Sequence, residues 1–314
     1  MDALTDVLAH IRSSGALLGQ TLANPPWSAA FEEQASLSLV TMLRGDAWIL
    51  DGSDRHPLNP HDIAVVVGPG PFTVTSDPEA TPTPLYIQTA TGLCLDAAGN
   101  PAESIALGTR TCGTHQDAQH AMLTGSFTAS GRVAERLLNA LPRVLIVPRE
   151  AHRTPTLQLM EAEILREEPG QQAILDRLLD LVLAGALRDW FSLPGAKSPG
   201  WYHATSDPVV GPALAAIHEN PEHPWTIELL AREAHVSRAT LARRFSELLG
   251  QPPMSYLTGW RLCMAADLLE REDMTVESVA RDVGYSSAYA LSTAFQREYG
   301  IRPSQHRQGL KPRA

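Results

Sequence analysis

Cysteines are scarce in this sequence, and long apolar runs are absent. Its 314 residues include three cysteines, Cys94, Cys112 and Cys263, which are too few for a disulfide scaffold and favour a reducing, cytoplasmic location. No run of about 18 apolar residues occurs, so we expect neither a transmembrane helix nor a membrane partner. The N-terminus carries Asp2 and Asp6 and lacks the basic start of a secretory signal peptide.

An excess of basic residues is also lacking, since the formal net charge is −10. The acidity is unevenly distributed. Residues 1–204 contain 13 Lys+Arg against 22 Asp+Glu, whereas residues 205–314 contain 12 against 13. The net charge of the whole chain therefore does not exclude nucleic-acid binding by residues 205–314. Because this stretch is nearly neutral, its DNA-binding surface must be formed by a local cluster of basic residues. The length suggests about two domains.

One pattern is written twice between residues 225 and 309, with the first copy starting at Trp225 and the second at Thr275. Each copy predicts a helix, a tight turn and a second helix. In the first copy, Thr226 and Ser237 suit helix N-caps. Leu241 and Phe245 make a buried stripe at a spacing of one helical turn, as their counterparts do in the second copy.

A connecting helix is predicted between the two copies, over residues 254–270. A helix of ~17 residues is about 25 Å long, and it can hold two recognition helices about one turn of DNA apart. Helix-turn-helix units also occur as plain packing elements, but two copies joined by a helix favour DNA binding.

The segment from Asp207 to Arg307 resembles the AraC/XylS family of transcription regulators. The resemblance rests on both helix-turn-helix units, on YLTGWRLCMAADLL in the connecting helix and on AFQREYGIRPSQHR near the C-terminus. His306 stands where the family usually has Tyr. By this resemblance, the base-reading positions are Ala239, Ala242 and Arg243 in the first unit and Ala288, Tyr289 and Thr293 in the second.

The predicted DNA contacts lie on the outward faces of the two second helices. We expect Arg243 to read a guanine. Ala288 and Thr293 replace the Gln or Arg common in the family, so the second unit is expected to add phosphate contacts and shape readout. The full set of predicted DNA-contacting residues is Ser237, Arg238, Ala239, Thr240, Ala242, Arg243, Arg244, Ser287, Ala288, Tyr289, Ser292, Thr293 and Arg297.

Residues 35–113 alternate short apolar runs with Gly- and Pro-rich turns, which predicts a β-sandwich or barrel. Residues 1–20 predict a short amphipathic helix before it. The stretch resembles the cupin-like effector domain of one AraC subfamily, on RGDAWILDG, HPLNPHDIAVVV, TCGTHQD and LLNALPRVLIV. The expected fold is a two-domain α+β chain, with a cupin-like β-barrel, a helical dimerisation segment and an all-α double helix-turn-helix.

Many cupins hold a metal through an H-x-H pair, and this sequence has none. We predict no metal and no cofactor. Cys112 is open to two interpretations: a buried packing residue, or, with Cys94 as its partner, a sensor of oxidants or electrophiles. In the absence of an H-x-H pair, the candidate metal ligands are His56, His61, Cys112, His115 and His120.

Residues 152–192 predict two helices, the second with an apolar face that includes Ile174, Leu178 and Leu181. Helices at this place mediate dimerisation in the family, so a homodimer is expected. The predicted boundaries are residues 1–150 for the effector domain, 151–192 for the dimerisation segment, 193–206 for a linker and 207–314 for the DNA-binding domain.

The expected function is a sequence-specific, ligand-responsive transcription activator that is not an enzyme. Its expected partners are double-stranded promoter DNA, RNA polymerase and an unknown small-molecule effector. Two alternatives stay open: a redox or electrophile-sensing regulator that acts through Cys112, and a cupin-type metalloenzyme with a helical accessory domain.

Overall fold

The chain folds into two compact units, one of residues 12–129 and 141–197 and the other of residues 1–11, 130–140 and 198–314. The computed structural model describes residues 8, 11–12, 18–32, 35–80, 82–89, 94–108, 110–152, 155–166, 168–196 and 199–309. The predicted division into a β-rich N-terminal region and a helical C-terminal region is confirmed. The exact domain boundaries given above stay predictions.

The strands lie in the first 150 residues. In chain order they are β1 (Ile11–Arg12), β2 (Gly19–Ala23), β3 (Ser28–Phe31), β4 (Leu37–Arg44), β5 (Ala47–Asp51), β6 (Asp54–Leu58), β7 (Ile63–Val67), β8 (Phe72–Thr75), β9 (Ile87–Gln88), β10 (Cys94–Leu95), β11 (Ala106–Gly108), β12 (Thr111–Gly113), β13 (His120–Ala129) and β14 (Val144–Val147). Short 3-10 turns occur at Glu103–Ile105 and Arg149–Ala151.

The helices whose bounds lie within the described residues follow β13 and then dominate the rest of the chain. They are α1 (Gly131–Leu138), α2 (Thr156–Ile164), α3 (Gln171–Phe191), α4 (Gly200–Thr205), α5 (Val210–Glu219), α6 (Ile227–Glu233), α7 (Arg238–Leu249), α8 (Pro253–Leu269), α9 (Val276–Asp282), α10 (Ala288–Tyr299) and α11 (Pro303–Gly309). No helix in the described part of the chain is long and apolar enough to cross a bilayer.

Two sheets form the N-terminal unit, with strand orders β11-β12-β2-β13-β4-β7-β14 and β10-β9-β3-β8-β5-β6. Most neighbours are antiparallel, and β12–β2 and β3–β9 are parallel pairs. Both sheets contribute to one apolar core, in which Met42 and Met122 of the first sheet pack with Phe31, Ile49 and Val74 of the second. Burial of this shared face holds the sheets together, as in a barrel or sandwich.

Within the stretch 35–113 that is predicted to form strands, the apolar runs at 37–43, 47–50 and 63–67 fall in β4, β5 and β7. All five residues of β7 are buried, which explains its uninterrupted Ile-Ala-Val-Val-Val sequence. The helix predicted over residues 1–20 lies mainly outside the described residues. Where the structure describes this stretch, Leu8 is helical, whereas Ile11–Arg12 and Gly19–Ala23 are strands. The prediction is wrong at these strands, because pairing within the sheet overrides local helical periodicity.

The C-terminal unit is organised around α8. Its buried residues occur on several sides of the helix, because the helix serves two cores. Near its N-terminal end, Tyr256 packs edge-on against Phe245 of α7, with ring centroids 5.6 Å apart. Near the C-terminal end, Leu262, Ala266 and Leu269 join the core that contains Phe295 of α10.

Helix α1 also belongs to this unit, although it lies between β13 and β14 in the sequence. The carboxylate of Asp267 on α8 accepts hydrogen bonds from the backbone N–H groups of Arg132 and Val133, at 2.6 and 3.3 Å. The guanidinium of Arg136 lies over the rings of Tyr256 and Trp260, 4.6 and 5.9 Å from their centroids. An acidic cap and cation–π contacts therefore attach α1 to α8.

Two glycines of this unit have a left-handed backbone but different surroundings. A Cβ on Gly284 (φ 80°) would lie 2.5 Å from the carbonyl oxygen of Glu222 and 2.7 Å from Arg261 Nη2, whereas a Cβ on Gly250 (φ 70°) would meet nothing within 4 Å. Both positions disfavour an L side chain, but only Gly284 also requires a close approach.

We predict that Gly284→Ala lowers the free energy of unfolding by about 2–5 kcal/mol, the sum of backbone strain and a clash. The matched Gly250→Ala should cost about 1–2 kcal/mol, from backbone strain alone. Urea denaturation of the two variants measures both values. Equal losses would contradict the close packing of Gly284.

Candidate nucleic-acid interface

The two helix-turn-helix units are α6–α7 and α9–α10, and their caps are built alike. The hydroxyls of Thr226 and Thr275 accept hydrogen bonds from backbone N–H groups at the start of the first helices, and Ser237 and Ser287 do the same for the second helices. Each second helix ends at a left-handed glycine, Gly250 or Gly300. The predicted caps are confirmed.

The turn inside each unit contains a residue with positive φ. His235 has φ 54° in the first unit, and Gly284 has φ 80° at the matching position in the second. Glycine adopts this conformation without a steric penalty, whereas a histidine must be held there by its surroundings. The backbone N–H groups on either side donate within the unit, from His235 to Arg232 and from Val236 to Ala231.

The inner face of each second helix is fully buried. Leu241 and Phe245 of α7 and Leu291 and Phe295 of α10 are each 0% exposed. The ring of His306 packs edge-on against Phe295 at 5.5 Å. Because the inner faces are fixed, the opposite faces of the two helices are presented outward.

The predicted DNA-contacting residues all lie on these helices or their caps, outside the buried stripes. The exposed members are Ser237, Arg238, Ala239, Arg243, Tyr289, Thr293 and Arg297, and the half-buried members are Thr240, Ala242, Arg244, Ser287, Ala288 and Ser292. Tyr289 is 82% exposed, an unusual value for an aromatic residue without a binding partner. The structure therefore brings the set together as two small, partly basic surfaces.

The arginines of α7 differ in how they are held. Arg238 pairs with Glu228 at 2.7 Å, and Arg243 pairs with Glu247 one helical turn away; both arginine side chains are about two-thirds exposed, at 67% and 66%. Exposed pairs of this kind contribute little to stability. These two guanidinium groups can therefore exchange their partners for phosphate or base atoms at small cost.

Arg244 is held by a buried carboxylate. Its Nε and Nη2 donate to Asp207 Oδ2 at 3.0 and 2.8 Å, and the Asp207 side chain is 8% exposed. Asp207 Oδ1 accepts from the backbone N–H groups of Val209 and Val210, each at 2.9 Å, at the start of α5. These two charge-assisted hydrogen bonds to one carboxylate oxygen fix α7 to α5, a role that spacing within α7 does not reveal.

Burial raises the pKa of Asp207, but the N–H groups of Val210, the guanidinium of Arg244 and the N–H of Val209 outweigh it, so the pKa lies below its usual value. A carboxyl group with a lowered folded-state pKa stabilises the fold at pH values above its unfolded pKa. This contribution is lost as the pH falls through the folded-state pKa. At neutral pH the Asp207–Arg244 pair is therefore fully charged.

The candidate redox thiols lie in the N-terminal unit. Cys112 is on β12 and Cys94 on β10, and both line one cavity. Burial raises the pKa of Cys112 to about 11, and its Sγ lies 3.6 Å from Thr21 Oγ1. Since the thiolate is the reactive form, a thiol that remains protonated at neutral pH favours the packing interpretation of Cys112.

The candidate metal ligands do not converge. His120 Nδ1 accepts a hydrogen bond from Trp27 Nε1 at 3.2 Å, and burial lowers the pKa of its ring. His61 pairs with Glu161 at 3.5 Å, and His115 is exposed. Within the described ranges, no group of three His, Cys, Asp or Glu side chains has the arrangement of a metal site.

The third cysteine, Cys263, lies on α8 in the C-terminal unit. Burial raises the pKa of its thiol, so Cys263 is a weak nucleophile like Cys112.

Two family profiles match the chain. A profile described as "Cupin" matches residues 2–192, and one described as "Helix-turn-helix domain" matches residues 230–309. The first covers the β-rich region and helices α1, α2 and α3. The second begins within α6 and covers the rest of both helix-turn-helix units with the helix between them.

Relatives match along the full length. A protein named "Putative AraC-like transcription regulator" from Streptomyces lividans is 31% identical, covering 98% of each chain. One of the same name from Streptomyces antibioticus is 29% identical, covering 99% of this chain and 100% of the other. Among solved structures, the DNA-binding domain of AdpA in complex with a target DNA is 34% identical, with a TM-score of 0.33, and covers 35% of this chain and 100% of that one.

We predict that Arg244→Ala lowers the urea midpoint of the C-terminal unit, because Asp207 loses its charged partner while remaining buried. Arg243→Ala, on the same helix, should leave the midpoint within error, because its pair is exposed. Denaturation followed by circular dichroism compares the two variants. An equal effect of both would show that the Asp207 contact does not hold α7.

Proposed function

We propose that this chain, which belongs to the AraC-type transcription regulators that carry a cupin N-terminal domain, regulates its promoters in response to a small molecule. The chain is a DNA-binding transcription regulator. The observation that carries the proposal is the pair of capped helices, α7 and α10, which pack against the two ends of α8 and present their outer faces outward. We assign the chain no catalytic reaction.

We propose that α7 provides most of the base readout. Arg243 is its most suitable base-reading residue, since its guanidinium is exposed and can donate in a bidentate manner to a guanine. Ala239 and Ala242 beside it are small enough to let the helix enter the major groove closely. Arg244 is proposed to position α7 rather than to read bases, because Asp207 holds it.

For α10 we propose a supporting role. Tyr289, Thr293 and Arg297 are exposed, but the Thr293 hydroxyl donates to the backbone carbonyl of Tyr289 at 3.0 Å. Arg297 is the basic group of this face, and a single arginine suits a phosphate contact. With few phosphate contacts in all, the affinity should depend on salt less steeply than for strongly basic DNA-binding proteins.

We also propose that the protein is a homodimer. On α3, Ile174 and Leu181 are each 49% exposed, and Leu178 between them is half-buried, while Leu175, Leu179 and Leu183 pack inward. Exposed leucine and isoleucine at helical spacing make an apolar stripe that a second copy of α3 can cover. Two copies would bring two DNA-binding units to one promoter, and contact with RNA polymerase is proposed as the route to activation.

The DNA proposal predicts a difference between two arginine variants. Arg243→Ala should cost about 1–3 kcal/mol on the specific site and little on random DNA. Arg297→Ala should weaken both to a similar extent, as expected for a phosphate contact. Fragments selected from genomic DNA by the full chain supply the specific site, and gel shifts with excess competitor measure the affinities. If Arg243→Ala lost equal affinity on random DNA, base readout by Arg243 would be refuted.

The dimer proposal predicts that Ile174→Glu combined with Leu181→Glu converts the protein from a dimer to a monomer of 34.0 kDa. Charged side chains on the stripe would be buried without partners in a dimer, which is unfavourable. Light scattering after gel filtration measures the mass. Ala173→Glu, an exposed position beside the stripe, is the control and should remain dimeric. A wild-type protein that is monomeric at every concentration would exclude the dimer.

A further inference from the structure

The N-terminal unit contains a cavity of about 430 Å³. Residues from both sheets line it, with Gly19 of β2 and Cys112 of β12 from one sheet and Gln88 of β9 and Cys94 of β10 from the other. Gln172 of α3 also contributes to the lining. A volume of this size accommodates a small organic molecule.

The cavity is mainly apolar but contains a cation. Leu18, Ala102, Ile105 and Ala106 supply aliphatic surface. Among the described residues that line it, Arg110 is the single acidic or basic side chain. A guanidinium group cannot be deprotonated in a protein, so the cavity carries a permanent positive charge at one side.

The partners of Arg110 in the described structure are neutral amide oxygens. Nη1 donates to Gln171 Oε1 at 2.6 Å, and Nε and Nη2 donate to Gln172 Oε1 at 3.2 and 2.6 Å. These bonds use three of the five guanidinium N–H groups. The nearby acid Asp176 accepts a hydrogen bond from Gln172 Nε2 at 2.7 Å.

Gln171 is fixed in the orientation that holds Arg110. Gln171 is 5% exposed. Its Nε2 donates hydrogen bonds to the backbone carbonyl oxygens of Glu163, at 2.8 Å, and Arg166. Because the amide nitrogen is committed to these carbonyls, the amide oxygen must face Arg110. The cation is therefore positioned in advance without being neutralised.

We infer that this cavity binds a small, largely apolar molecule that carries a carboxylate, with the carboxylate on Arg110 and the apolar part against Leu18 and Ile105. A carboxylate can accept two parallel hydrogen bonds from a guanidinium group, and such charge-assisted bonds are about twice as strong as neutral ones. The inference rests on the proposed function, because it names the chemical class of the effector.

The test uses octanoate and phenylbutyrate as carboxylate probes and octanamide as the neutral counterpart, titrated calorimetrically into the full chain. Both carboxylates should bind, and octanamide should bind about ten- to a hundred-fold more weakly, as when a charged hydrogen-bond partner is removed. Arg110→Gln should reduce carboxylate binding to the level of the amide and leave amide binding unchanged. Arg177→Gln, an exposed change of equal charge on α3, should have no effect.

A second variant tests the same cavity independently, in case Arg110→Gln does not fold. Ala102→Phe fills the cavity and should weaken binding of carboxylate and amide together, with circular dichroism confirming the fold. The inference is overturned if neither carboxylate binds, or if carboxylates bind equally to wild type and Arg110→Gln. A gel shift on the same preparations distinguishes failure of this inference from failure of the proposed function. If the wild-type protein binds specific DNA but no carboxylate, this inference alone is refuted. If the wild-type protein binds no specific DNA, the proposed function is refuted.

Discussion

Burial of α8 on more than one side is the constraint on which the DNA-binding unit depends. Its N-terminal half completes the core of the first helix-turn-helix through Tyr256 and Phe245, and its C-terminal half completes the second through Leu262 and Leu269. A helix shared by two cores cannot turn toward one without disturbing the other. The spacing and orientation of α7 and α10 are therefore set by packing. The positions of the exposed residues on these two helices are fixed as a result.

Two further sets of contacts, one in each unit, bear on the proposed response to a small molecule. The chain leaves β13, forms α1 on α8 through Asp267 and Arg136, and returns as β14. In the N-terminal unit, Arg110 joins the cavity to the first residues of α3 through Gln171 and Gln172. A ligand shifts an equilibrium between two states of a protein only by its difference in affinity for them, so the proposed carboxylate would regulate DNA binding only if Arg110 holds it more tightly in one state than in the other.

The helix-turn-helix units could be predicted from the sequence because their determinants are local. Caps, left-handed glycines and the Leu241–Phe245 stripe act within one or two turns of a helix. The contact between Arg244 and Asp207 could not be predicted, since its residues lie 37 positions apart, and the contact between Arg132 and Asp267 spans 135. Strand β13 lies outside the stretch predicted as strands for the same reason: its Gly125 weakens the local strand signal, and pairing with β2 and β4 creates the strand.

The central claim is that α7 and α10 enter successive major grooves from the ends of one rigid helix. Hydroxyl-radical footprinting of the full chain on a genomically selected site tests this most directly. The account predicts two protected segments on each strand, with centres about 10 base pairs apart. It also predicts that Arg243→Ala weakens the protection at the α7 segment first. A single protected segment of one groove, with the protein saturating the site, would contradict the paired arrangement.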